Sequence, residues 1–137
     1  MPLVSFSELM DRARRGGFAV GYFESWNLES LLAAADAAEA LSSPVILGFS
    51  GIYLPHPGRA ARDPLAAYAA LGAEVCRSIS VPSCLLFNES PRFDWVVEAA
   101  RLGFGLVMFT DEELGYAEQA ARVREHILAA LQERNAP

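Results

Sequence analysis

The feature that most limits the fold is a unit repeated four times: a short apolar run without polar alternation, then an amphipathic helix. The runs are Phe18-Ala19-Val20-Gly21-Tyr22-Phe23, Val45-Ile46-Leu47-Gly48-Phe49, Ser83-Cys84-Leu85-Leu86-Phe87 and Leu106-Val107-Met108-Phe109. A strand that stays apolar at every position is buried on both faces. Helix signals stand between the runs. Asn27 is placed to cap a helix with the stripe Leu28, Leu31, Leu32, Ala35 and Ala38, ended by Ser42-Ser43-Pro44. Asp63-Pro64 reads as N-cap and first helical position, with that helix running to about Ile79. Ser90-Pro91 reads as the next cap, and Gly103 as the stop. The last helix carries Tyr116, Ala120, Val123, Ile127 and Leu131 on one face. Ahead of the first strand, Ser5-Phe6-Ser7-Glu8 is a capping box, and Gly16-Gly17 closes a leading helix.

Alternating strands and helices build a parallel sheet with right-handed crossovers. Four units make either a small open doubly wound sheet or half of an eight-stranded barrel. The first and fourth strands carry neither the charge nor the proline that protects a sheet edge. We therefore expect an α/β half-barrel of TIM type: residues 1–137 form a single domain of four strand-helix units after a short helix. Such a half should not remain monomeric. A second copy (a homodimer or higher oligomer) or a separate chain would complete the ring.

Composition removes several functions. All eleven basic residues are arginine, so lysine Schiff-base chemistry and a lysine phosphate clamp are excluded. The net charge of −6 argues against a nucleic-acid binder. No apolar run approaches the roughly 18 residues of a membrane span, and the N-terminus has no apolar signal core. Cys76 and Cys84 lack CxxC spacing, so a reducing cytoplasm is expected.

Ligands of a barrel meet the C-terminal ends of its strands. Here those ends are Glu24-Ser25, Ser50-Gly51, Asn88-Glu89-Ser90 and Thr110-Asp111-Glu112, each polar directly after an apolar run. Helix capping is the better account of Ser90, Asp111 and Glu112, while for Asn88 and Glu89 the two readings balance. His56, in a loop with Pro55 and Pro57, would sit above the same mouth. His126 lies beside an apolar stripe, and no paired metal-ligand spacing such as HExxH occurs. Trp26 and Trp95 read as packing residues, and Cys84 as a small apolar one.

Met1-Pro2-Leu3-Val4-Ser5, Phe18 to Phe23, Asn27-Leu28-Glu29, Ser43 to Gly48, Val81-Pro82 and Gly103-Phe104 with Val107-Met108 form an ordered set. This set resembles the N-terminal half of the class II, metal-dependent fructose-bisphosphate aldolases. The resemblance implies a barrel of eight strands of which these are the first four, the sequence stopping where strand five would begin. It implies aldol chemistry in carbohydrate metabolism and a divalent metal, zinc, as cofactor.

Residue by residue, the resemblance puts Asn88 where the family has its proton-transferring Asp, and an amide cannot serve as a general acid or base. Glu89 stands where the family has a zinc-ligand His, and a carboxylate can bind zinc. Glu24 replaces an asparagine, Ser50 matches a serine, and Thr110 with Asp111 occupies the place of an acidic residue. We thus expect Asn88 and Glu89 in the catalytic positions, with Glu89 also on the metal. Glu24, Ser50, His56 and Asp111 would surround a small phosphorylated or carboxylated ligand. In a symmetric pair, Glu24, Glu89 and Asp111 would ring one opening with six carboxylates. Whether the chain is an enzyme stays open at this point. The alternative is a non-enzymatic module that docks a partner through the open barrel face.

Overall fold

The computed structural model describes residues 2–58 and 64–134. Its elements are α1 (Phe6–Gly16), β1 (Gly21–Glu24), α2 (Leu28–Ala40), β2 (Val45–Ser50), a 3-10 turn (Gly51–Tyr53), α3 (Leu65–Ser78), β3 (Ser83–Ser90), α4 (Phe93–Arg101), β4 (Leu106–Phe109) and α5 (Tyr116–Arg134). All four strands are parallel, in the order β1-β2-β3-β4. Sequential order with crossovers of one hand puts every crossover helix on the same face; an open doubly wound sheet would need the order to reverse. Helices α2, α3 and α4 accordingly pack on one face, where Leu31, Ala35, Tyr68, Cys76 and Ala99 meet Leu47, Phe49, Leu85 and Phe87. The opposite face holds Ile46, Cys84 and Leu86, covered by Leu9 of α1. The architecture is the half-barrel, with α1 as the helix on its inner side.

Local signals explain most element ends. The Ser5 hydroxyl accepts from Glu8 N–H, and Gly17 leaves α1 in the left-handed conformation at φ 68°. The expected capping box is only half made, because the Glu8 carboxylate pairs with Arg12 instead. The full box is at α2, where Asn27 and Ser30 cap each other reciprocally. β2 is buried along its whole length.

Other expectations are corrected. β1 starts at Gly21 and is not buried on both faces: its outer edge has no partner strand, and Phe23 is 54% exposed. Leu28 and Leu32 fall outside the buried stripe of α2, which is Leu31, Ala35 and Ala38. Pro64 is the residue before α3 rather than its first residue; Asp63 lies outside the described residues. Ser90 ends β3 instead of capping α4, whose N-cap is Arg92. Among the described side chains on the apolar face of α5, Tyr116 is 89% exposed and Ile127 50% exposed. On the far edge, Phe23, Ala34, Ala37, Leu41 and Pro44 line an open groove of about 460 Å³ between β1 and α2. Among the described residues no helix is long and apolar enough to cross a membrane.

Two contacts between neighbouring elements generate predictions. Gly48 sits where a Cβ would lie 2.1 Å from the Leu86 carbonyl oxygen, so β2 and β3 can lie this close only with glycine there. Gly48→Ala should cost about 3 kcal/mol, the upper end for overpacking. It would be read as a lowered urea midpoint at unchanged slope. At the end of α2, the Glu39 carboxylate accepts from Ser80 N–H (2.6 Å), Val81 N–H (2.9 Å) and the Ser80 hydroxyl (3.0 Å). The Val81 hydrogen bond first, then those from Ser80, hold Glu39 below the ordinary 4.5. A depressed carboxyl stabilises above its unfolded value and loses that contribution as pH falls through the folded one. Glu39→Gln should therefore lower Tm at pH 7 and flatten the decline of Tm between pH 5 and pH 3.

Candidate functional site

Strand alternation decides which residues face inward at the C-terminal ends. Tyr22 and Glu24 of β1 are two residues apart and share one face. Glu24 is in register with Gly48, and Ser50 with Asn88. Even-numbered residues of β2 and β3 belong to the face away from α2–α4, so Ser50 and Asn88 open to the same side. Glu89, being odd, would turn toward the helices in a regular strand. A register shift between Phe87 and Ser90 and a left-handed backbone at Glu89 (φ 47°) turn it back. A positive φ at a glutamate is a strained state held by its surroundings, of a kind that clusters at functional sites.

Two linked sets of contacts result. Tyr22 Oη donates to Glu24 Oε2 at 3.1 Å, and Asn88 Nδ2 donates to the same oxygen at 3.2 Å. Beside them, Ser50 Oγ donates to Glu89 Oε2 at 3.2 Å. Ser50 is buried, while Asn88 and Glu89 are half-buried. Burial raises the Tyr22 phenol far above its ordinary 10.0, and the charge and hydrogen bond of Glu24 and the charge of Glu89 push the same way. Tyr22 is thus a neutral donor at any physiological pH. Around the rim, Trp26 stacks on Tyr53 of the 3-10 turn with ring centroids 3.9 Å apart.

Of the six residues expected at the mouth, the structure gathers four: Glu24, Ser50, Asn88 and Glu89. His56 is exposed and accepts from Gly58 N–H within its own loop. Asp111 accepts from Glu113 N–H at 3.1 Å and pairs with Arg122 at 3.4 Å, so both its oxygens serve the turn into α5. Ser90 is fully buried and exchanges hydrogen bonds with the Arg92 backbone. His126 stacks on Phe93 at 3.7 Å, and Phe93 in turn packs against Phe109 at the end of β4. Both cysteines are buried free thiols, and burial pushes Cys84 up to about 11. Sequence reasoning missed Tyr22, since a tyrosine inside an apolar run looks like core. Its signal was the two-residue spacing to Glu24.

Zinc takes at least three protein ligands. Among the described residues no group of three His, Cys, Asp or Glu side chains could hold a metal ion. These residues by themselves do not make a zinc site. What they can do is present carboxylate oxygens, backed by neutral donors, to a ligand that donates hydrogen bonds.

Comparison with known proteins bears on this geometry. The family described as fructose-bisphosphate aldolase class-II matches residues 4–136. A probable fructose-bisphosphate aldolase of Bacillus subtilis (strain 168) is 34% identical over 124 residues, covering 88% of this chain and 41% of the relative. In three dimensions the chain is similar to the YdjI aldolase from Escherichia coli K12. The TM-score is 0.75 at 18% identity, over 98% of this chain and 50% of that one. The chain thus spans about half the length, or less, of the aldolases it matches. By sequence over nearly its whole length, and by fold, it belongs to the class II fructose-bisphosphate aldolase family.

Proposed function

We propose that this chain supplies one half of an aldolase-type barrel that handles a small ligand of carbohydrate metabolism at the C-terminal ends of its strands. The observation that carries the reading is the convergence of Tyr22, Glu24, Ser50, Asn88 and Glu89 at the end of the sheet where barrel ligands sit. This half offers two carboxylates and neutral donors. It suits the hydroxylated carbon chain of a ligand, while a phosphate or carboxylate group on that ligand needs counter-charge from the other half. Metal-assisted carbon–carbon bond cleavage would need ligands from outside the described residues, among which no group of three could hold an ion, and the proton step cannot fall to the amide of Asn88. The free, buried thiols of Cys76 and Cys84 suit a reducing cytoplasm.

A second barrel half is the partner that fits. The unpaired edge of β1 beside its groove, and the bare apolar face of α5 beyond β4, flank the sheet on its two sides. The second reading, a non-catalytic module docking through the open barrel face, meets a face where α1 already buries Ile46, Cys84 and Leu86; the bare surfaces at β1 and α5 are what such a module would offer instead.

For the 137-residue polypeptide we expect light scattering to give about twice the 14.8 kDa of one chain. A retro-aldol assay on a ketose bisphosphate should show activity only when a complementing C-terminal half is added. A stable monomer would remove the self-paired form. Complementation that yields a stable complex but no turnover would favour the docking module.

A further inference from the structure

The geometry points to one aimed carboxylate: we propose that Glu24 is the group that accepts a hydroxyl of the ligand, and that Tyr22 and Asn88 are positioning residues that aim it. The inference rests on the ligand reading above and adds which carboxylate acts and what holds it.

Both donors use one oxygen. Tyr22 Oη and Asn88 Nδ2 converge on Glu24 Oε2, at 3.1 and 3.2 Å. No hydrogen bond among the described residues reaches Oε1. Fixing one oxygen with two donors locks the carboxylate plane and leaves the other oxygen to accept from a ligand. The reach across the sheet is possible because Gly48, in register with Glu24 on one side and Leu86 on the other, has no side chain to fill the space over β2. Tyr22 stays protonated, since burial and the two carboxylates Glu24 and Glu89 oppose its ionisation, so its donation does not lapse with pH.

Glu24 ends the first strand and Asn88 lies near the end of the third, so the pair is one carboxylate and one amide. An amide at position 88 beside an amide at 24 would still pair N–H to C=O, but would leave only a neutral, weaker acceptor for the ligand. A carboxylate at both positions would set two like charges within hydrogen-bond distance.

The test combines a ligand-free measurement with a binding one on the full chain. In the first, tyrosine ionisation is followed by ultraviolet absorbance during alkaline titration. One of the four tyrosines should ionise last. That late step should vanish in Tyr22→Phe and move to lower pH in Glu24→Gln, which removes an adjacent negative charge. An unchanged titration in Glu24→Gln overturns the Tyr22–Glu24 coupling, whatever any ligand does.

In the second, binding of ribitol, a neutral linear polyol, is measured by saturation-transfer NMR. Glu24→Gln, Tyr22→Phe and Asn88→Ala should each weaken it about tenfold, roughly the loss of one aimed hydrogen bond. Asn88→Asp should weaken binding and lower Tm, and the double variant Glu24→Gln/Asn88→Asp should recover Tm but not binding, a split that loss of packing could not produce. Weakening in Glu24→Gln without weakening in Tyr22→Phe or Asn88→Ala overturns the positioning role. Absence of ribitol binding in the wild-type chain, with the titration as expected, overturns instead the reading of the mouth as a polyol site and with it Glu24's role toward a ligand.

Discussion

A parallel strand cannot lie beside its predecessor without a crossover, and the crossover has one hand. With the strands in the order β1-β2-β3-β4, that single constraint sends α2, α3 and α4 to one side. The two faces of the sheet then differ in kind. One is a conventional core of large side chains such as Phe49, Phe87 and Leu85. The other carries Ile46, Cys84 and Leu86 and is covered by Leu9 of α1. The polar cluster forms on that side because register and side-chain alternation put Glu24, Ser50 and Asn88 there. Neither face alone satisfies the edges, which is why β1 and α5 keep apolar surface uncovered.

What could be read from residues followed from how local its cause was. Asn27 with Ser30, Ser5 with Glu8 N–H, and the stops at Gly17 and Gly103 depend on a few consecutive residues, and the helices begin and end there. The unbroken apolar runs at β2 and β3 follow from burial on both faces. The errors arose where the cause was distant. Phe23 is apolar, yet exposed, because the strand that would flank β1 is not in this chain's sheet. Ser90 has the composition of a cap but is drawn into β3 by the register shift beside it.

The same distinction separates the mouth residues. Glu24, Ser50, Asn88 and Glu89 were legible because strand ends are where barrel ligands bind and each follows an apolar run. What brings Glu89 to Ser50 was not legible. In a regular strand Glu89 would face the helices, and only the bulge and the φ of 47° reverse it. Asp111 and His56 were placed at the mouth by sequence position alone. Both satisfy their hydrogen bonds within their own loops, which is the cheaper arrangement for an exposed polar side chain.

The electrostatics of the cluster limits its chemistry. Two carboxylates, Glu24 and Glu89, sit near one phenol, and each takes at least one hydrogen bond from a neutral group rather than from a cation. Arg92, the cation at the start of α4, is committed to Asp94 and to the face of Trp95. Neutral donors hold a carboxylate in place without cancelling its charge, so the mouth keeps its negative character. On the proposed function, a ligand entering it offers hydrogen-bond donors here and carries any anionic group elsewhere. A barrel completed by a second half would permit that division of labour, because each half would need to carry only one of the two chemistries.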